Sequence, residues 1–378
     1  MLALVLGSFG LLLSLLACGQ QGEMAGELRI GVIAPVTGNV SGVGDSTVKA
    51  AELAVMEVNE AGGLDVAGQK YQLVLFVEDS ANVPDTAVAA ARKLINQDQV
   101  AVIIGPQISR NAIPVAAIAE NSQIPLISPS STNPATTAGK NFVFRVAYID
   151  SFQGEAMARF ALDELNAQRA AVLFDVANDY NRDLAEFFSQ AFNAGGGQIV
   201  AYEPYTTGET DFSQQMASIL AGKPQVLYLP NYVNEVALQA QQARAAGIEA
   251  VLLGSDSWEL KQLIDLPELD GAFVTTHYAA DAADPAVQEF VDAFVQQYNH
   301  LPNNAAALTY DAFQLLFQVV QNQGQVDPES IQTGLSEIQE FRGVTGLMLY
   351  RGTGDPEKSA VILQIKDGAA RYYETVNP

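Results

Sequence analysis

The chemistry available to this chain sits in hydroxyls, carboxylates and tyrosines that follow short apolar runs. Ser128-Pro-Ser-Ser-Thr-Asn-Pro134 follows the run 124–127, which is too short for a helix and reads as a buried parallel strand. Its two prolines remove backbone donors and restrict their predecessors, so neither strand nor helix continues through the segment. Ser109 follows a run at 100–104, Tyr180 one at 170–174, Tyr232 one at 225–229 and Asp256 one at 250–253. In open α/β sheets ligands bind at the carboxyl ends of strands, which is where Ser109, Ser130, Thr132, Tyr180, Tyr232 and Asp256 all fall. Hydroxyls and loop N–H groups can hold a carboxylate without a charge of their own. Asp256 can hold an ammonium through a charge-assisted bond of ~1.5–3 kcal/mol. A tyrosine taken singly is more often a core residue than a ligand contact. Here the shared strand-end position carries the argument, because a tyrosine there can close over an aliphatic stem.

Other chemistries lack their residue patterns. Gly254-Ser-Asp-Ser-Trp258 does not fit a Gly-x-Ser-x-Gly elbow, and no phosphate-cradling Gly-x-x-x-x-Gly-Lys-Ser/Thr loop occurs. Gly42-x-Gly44 and Gly352-x-Gly354 lack the third glycine of a dinucleotide fingerprint. His277 and His300 are the only histidines, without metal-ligand spacing, and read as surface or packing residues. Cys18 is the only cysteine, which excludes an intramolecular disulfide and a cysteine-based zinc site. The expectation is a binding protein rather than an enzyme, with no cofactor and no metal.

The chain has 378 residues, enough for two domains. Its net charge of −24 argues against nucleic acid and anionic lipid as partners, because both need a basic face. Hydrophobic residues make up 49% and charged ones only 16%, so a large core is available. Residues 1–17 form an apolar run shorter than the ~20 residues of a spanning helix, and read as a secretory signal. No Lys or Arg precedes that run. Leu15-Leu-Ala-Cys18 resembles the bacterial lipobox, which implies lipidation at Cys18. Residues 18–27 are then a small polar tether.

Strand alternates with helix through most of residues 28–275, which predicts parallel sheets with right-handed crossovers. The first unit has strands at 28–34, 71–77, 100–104 and 124–127. Its helices fall at about 45–61, 84–96 and 111–121, the first capped by Asp45 or Ser46. After 142–146 the pattern restarts, with strands at 170–174, 198–202, 225–229, 250–253 and 272–275. Helices at 285–298, 304–322 and 328–338 then succeed one another without strands. They cannot extend a parallel sheet and are expected to return over an earlier domain. A hairpin around Asp367-Gly368 closes the chain.

Five segments in this order resemble the periplasmic binding proteins for branched-chain amino acids of ABC transport systems. They are Leu28-Arg-Ile-Gly-Val-Ile-Ala-Pro-Val-Thr-Gly38, Val58-Asn-Glu-Ala-Gly-Gly-Leu64, Val102-Ile-Ile-Gly-Pro106, Ile127-Ser-Pro-Ser-Ser-Thr-Asn-Pro134 and Leu308-Thr-Tyr-Asp-Ala312. The resemblance covers nearly all of residues 28–378. It implies a type I fold: two doubly wound α/β lobes joined by three hinge strands and closing on a ligand. Residues 28–147 and 279–348 would form the first lobe, and 148–278 and 349–378 the second. It further implies that Ser109 takes a ligand carboxylate, assisted by Ser130 and Thr132. Asp256 would take the ammonium, in place of the more usual glutamate, and Tyr180, Tyr232 and Tyr310 would flank the ligand. Val43 stands where the family often has an aromatic residue.

The expected function is capture of a branched-chain or other small α-amino acid, and its delivery to an ABC permease. The protein would be an extracytoplasmic monomer, anchored through lipid at Cys18. A ligand sensor acting on a membrane receptor and a binder of amides, urea or aromatic acids are the alternatives within the same fold. A secreted hydrolase is the alternative outside it.

Overall fold

The computed structural model describes residues 24–378. The signal, Cys18 and most of the tether therefore lie outside the described residues. In chain order the first elements are β1 (Gly26–Ala34), α1 (Ser41–Glu60), β2 (Leu64–Val66), β3 (Gln69–Asp79), α2 (Pro84–Asn96), β4 (Val102–Ile104), α3 (Ser109–Ser122), β5 (Leu126–Ser128) and β6 (Val143–Arg145). They make a sheet ordered β2-β3-β1-β4-β5-β6, parallel except where β2 folds back on β3. The strand order reverses beside β1, so a crevice opens between the carboxyl ends of β1 and β4.

The second unit runs α4 (Asp150–Asp163), β7 (Arg169–Asp175), α5 (Asp179–Ala194), β8 (Gln198–Tyr205), α6 (Ser213–Gly222), β9 (Val226–Leu229), α7 (Val233–Ala245), β10 (Val251–Gly254), α8 (Leu260–Leu263) and β11 (Phe273–Thr276). After it come α9 (Pro285–Tyr298), α10 (Asn304–Gln323), α11 (Pro328–Glu337), β12 (Glu340–Gly343), β13 (Gly346–Tyr350), β14 (Pro356–Glu357), β15 (Ala360–Lys366) and β16 (Ala369–Val376). The second sheet is ordered β16-β15-β11-β10-β9-β7-β8, with its own reversal beside β7. The hairpin β15–β16 adds antiparallel at its edge, and Asp367 and Gly368 both take positive φ at the tip, as a tight hairpin turn requires.

Leu308, Ala312, Leu315 and Val319 recur along one face of α10. They share a core with Leu28, Ile30 and Val32 of β1 and with Met348 and Tyr350 of β13. The second sheet is covered on both faces by separate cores. One is built on Leu227, Leu229 and Leu252, the other on Phe160, Phe188 and Tyr228. The chain passes between the sheets three times: after β6, after β11, and between β14 and β15. The boundary expected at Met348 falls inside β13, and the chain enters the second sheet only at Ala360.

Three local differences from the sequence-based expectation have physical causes. Helix α1 begins at Ser41, not at a cap formed by Asp45 or Ser46. Ser46 donates backwards to Gly42 O (2.9 Å), and Asp45 pairs with Lys49 one turn on (2.7 Å). The loop between β1 and α1 is correspondingly short. A side chain at Gly44 would meet Pro35 O at 2.1 Å, so the helix start lies directly on the end of β1. Strand β5 starts at Leu126 because Ile124 N still bonds Ala119 O and belongs to the end of α3. The small sheet β12–β14 and the strand β2 are not predicted from sequence, because at two to five residues long they carry too few positions for a period to show.

Candidate functional site

The loops at the two reversal points face each other across a cavity of about 50 Å³. One water needs about 10–15 Å³ on this measure, so the occupant is small. Val40, Val43, Gln107, Ile108, Ser109, Ser130, Asn304 and Ala305 line it from the first sheet's side. Tyr180, Tyr232, Val233, Asp256, Ser257 and Glu259 line it from the second. Hydrogen bonds join the two sides around it: Asn234 Nδ2 to Asn39 O (3.0 Å), Asn133 Nδ2 to Asp183 Oδ2 (2.9 Å) and Asn303 Nδ2 to Glu259 Oε2 (3.0 Å). The lobes are closed.

The first wall is shaped by strand ends that cannot continue. Gly105 takes φ +103°, and a Cβ there would sit 2.3 Å from Ile33 O, so only glycine lets the chain turn off β4 beside β1. Ser109 then opens α3. Ser131 donates to the Ser109 hydroxyl (3.0 Å) and contacts the Thr136 hydroxyl (2.7 Å). Arg145, fully buried, pins the loop from beneath. Its guanidinium donates to Ser131 O (2.6 Å), Asn133 O (2.9 Å) and the Thr137 hydroxyl (2.7 Å), and pairs with Asp355 (2.6 Å). Ser130 faces the cavity, and its buried hydroxyl has no partner among the described residues. Thr132 does not line the cavity. Its carbonyl accepts from Asp150 N (2.9 Å), and its buried hydroxyl is likewise unpartnered among the described residues.

The second wall is charged. Asn178 caps α5 by accepting from Tyr180 N (3.2 Å), which sets Tyr180 in the first turn. Tyr180 donates to Asp256 Oδ1 (2.7 Å) and lies against the Tyr232 ring, with centroids 5.4 Å apart. Asp256 Oδ2 lies 3.3 Å from His277 Nε2, and Asp256 N donates to Gln153 Oε1 (3.0 Å). Burial pulls the His277 imidazole down to about 4, so it is neutral at pH 7 and Nε2–H donates to Asp256. Tyr148 stacks on it at 3.7 Å. Burial, with repulsion from Asp256, raises the Asp150 carboxyl well above the usual carboxylate range. Burial likewise raises Glu259. Trp258 is packed onto Gly254, where a Cβ would meet its ring at 2.4 Å, and this fixes the turn that carries Asp256.

Five of the expected site residues, Ser109, Ser130, Tyr180, Tyr232 and Asp256, come together on the cavity. Tyr310 does not. It lies well over a turn inside α10, packs on Phe290 and donates to Glu57 (2.7 Å); it is Asn304 and Ala305, at the start of that helix, that reach the site. Of the surface and packing roles expected for His277, the structure has the packing one, with the ring buried against Tyr148, and adds a bond to Asp256. Gln107, Ser257, Glu259, Asp150 and Gln153 also belong to the site and are missed by sequence reasoning. The strand-end rule that selects Ser109 and Asp256 reaches Gln107 and Ser257 equally, and His277 directly follows β11. Among the described residues no group of three or more His, Cys, Asp or Glu is placed to hold a metal ion.

Residues 27–370 match the family model described as periplasmic binding protein. The chain belongs to that family. The Leu/Ile/Val-binding protein of Escherichia coli is 30% identical over 335 residues, 88% of this chain and 89% of that one. Among solved structures, a leucine binding protein from Thermotoga maritima superposes with a TM-score of 0.86 at 33% identity. The match covers 93% of this chain and 99% of the other. A branched-chain amino acid transporter substrate binding protein from Streptococcus pneumoniae, in complex with isoleucine, has a TM-score of 0.86 at 27% identity, covering 93% and 100%. The fold is thus the type I periplasmic binding protein fold, and the family is one of extracytoplasmic solute-binding proteins. Among the described residues no helix is long and apolar enough to cross a membrane.

Proposed function

We propose that this protein captures a small α-amino acid, branched-chain or other, between its lobes and delivers it unchanged to an ABC permease. The observation that carries this reading is the polarity of the cavity. Hydroxyls of Ser109 and Ser130 stand on one wall, and the Asp256 carboxylate stands on the other. An α-amino acid has one end for each. The carboxylate would accept from the Ser109 and Ser130 hydroxyls and the N–H groups at the start of α3, where the helix dipole favours an anion. The ammonium would donate to Asp256, whose two oxygens are already aimed by Tyr180 and His277. Burial raises the carboxyls of both Asp150 and Glu259, whereas Asp256 lines the cavity with neutral donors on both of its oxygens.

Capture depends on the same layout. A ligand seated on the first wall bridges to the second only when the lobes meet, so binding stabilises the closed state over the open one. The bonds Asn39–Asn234 and Asn133–Asp183 then complete the rim. We read the protein as acting by binding alone. Thr132 serves the first wall through its backbone, and Tyr310 takes no part. We assign residues 1–17 to a signal, Cys18 to lipid attachment and residues 18–27 to a tether holding a monomer at the membrane.

The test is thermal unfolding and calorimetry of the purified protein against α-amino acids, their matching amines and acids, urea, short amides and aromatic acids. A ligand at ~100 times its dissociation constant adds about 2.7 kcal/mol to stability and raises the melting temperature clearly. The expected result is a response to an α-amino acid and none to the amine or acid alone. A response only to amides or aromatic acids would overturn the two-ended site.

A further inference from the structure

The part of the cavity left for a ligand side chain is apolar on one side only. Val40, Val43, Ile108 and Ala305 cluster there with the edge of Tyr232. Gln107 interrupts this surface. It lines the cavity, is 2% exposed, and neither its Nε2 nor its Oε1 has a hydrogen-bond partner among the described residues. Buried polar groups are paired as a rule, and a side-chain amide left bare at both ends is costly. An aliphatic ligand side chain would leave both ends bare. Leucine or methionine at position 107 would fill the same volume without that cost. The other polar side chains on the lining, Asn304, Ser257 and Glu259, place further donors and acceptors around the same small space.

We infer that the ligand is an α-amino acid whose own side chain ends in a carboxamide, paired head to tail with Gln107. The ligand N–H₂ donates to Gln107 Oε1 while its carbonyl accepts from Gln107 Nε2, which satisfies both orphaned atoms at once. A single hydroxyl oxygen cannot meet both atoms with straight bonds. A carboxamide is also neutral, so it places no charge beside the apolar patch of Val40, Val43, Ile108 and Ala305. The stem between the α-carbon and the amide lies on that patch. This inference rests on the proposal that Ser109 and Asp256 hold the two α-substituents, and it names the side chain between them.

Calorimetry with L-glutamine, L-asparagine, L-leucine, L-isoleucine and L-valine tests it, on the wild type and on Gln107→Leu. The expected result is wild-type binding of glutamine or asparagine at least about tenfold tighter than of any aliphatic amino acid, with the order reversed in Gln107→Leu. Tighter wild-type binding of leucine, isoleucine or valine would overturn the inference and leave the α-amino acid reading standing. A carboxamide preference that survives in Gln107→Leu would remove Gln107 from the role. Absence of binding by every α-amino acid would overturn the underlying reading as well. The wild-type ranking decides the question even if the variant does not fold.

Discussion

Ser109, Ser130 and Gln107 face the cavity from the first lobe without net charge, whereas Asp256 and Glu259 face it from the second with two acids. The walls are also held differently. The hydroxyl wall is pinned from below by one buried cation, Arg145, tied to Asp355 and to three oxygen atoms of its loop. The acid wall is held by neutral donors and acceptors, the Tyr180 hydroxyl, the His277 imidazole and the Gln153 amide, arranged around a single carboxylate residue. A neutral wall can be preformed and still attract an anion, because N–H and O–H dipoles cost little to desolvate compared with an ion. A charged wall is better completed by its ligand: Asp256 is the charge that an arriving ammonium neutralises.

The largest effect expected from breaking this contrast is on the first wall's support. Arg145→Met leaves Asp355 and the Ser131 and Asn133 carbonyls without their cation, and stability should fall by about 3 kcal/mol or more. Denaturant unfolding measures it, and an unchanged midpoint would mean that the hydroxyl loop holds its own shape.

Next in size is the second wall's charge. Asp256→Ala removes a charge-assisted bond of ~1.5–3 kcal/mol, which corresponds to about a tenfold to hundredfold loss of amino-acid affinity. The fold should persist, since Asp256 lies on the cavity lining and outside both hydrophobic cores of the second sheet. Calorimetry beside a melting curve separates the two outcomes, and unchanged affinity would take the ammonium away from this wall.

The smallest effect sharpens the role of the neutral donors. His277 titrates at about 4 in the fold, below its ordinary value of 6.5, so between these values the unfolded chain binds a proton that the folded chain refuses. Stability contributed by the neutral imidazole is complete above pH 6.5 and is lost as pH falls towards 4. Asp150, whose carboxyl is raised in the fold by burial, works with the opposite sign, so the wild-type curve shows only the difference. His277→Asn should therefore gain stability relative to the wild type as pH falls from 6.5 to 4. Melting temperature against pH for both proteins gives that difference directly, and parallel curves would show His277 to be charged in the fold.

Much of the architecture is legible in the sequence because it depends on local pattern. Short apolar runs such as 102–104 and 226–229 are buried on both faces, and α10 repeats its apolar positions at helical spacing. The strand-end rule finds five cavity residues because a parallel sheet brings all its carboxyl ends to one edge. Thr132, the sixth residue it selects, does not line the cavity, and Tyr310, implied by the family resemblance alone, lies too far along α10 to reach it. Gln107 and His277 also follow strands, but their residue types suggest packing rather than recognition. Arg145 gives no signal at all, since a lone arginine in a strand acquires its meaning from Asp355, which is 210 positions away.

The sequence by itself determined the order of strands and helices, the polarity of each strand-end loop and the acidic balance of the chain. These are properties of neighbouring residues, and propensity and periodicity report them. Only the tertiary structure decided which loops meet across the cleft, that Asp256 stands between Tyr180 and His277, and that Gln107 is buried with its amide unpaired among the described residues. Those facts depend on contacts between segments tens to hundreds of residues apart, and on burial, which lowers the affinity of His277 for a proton and raises that of Asp150.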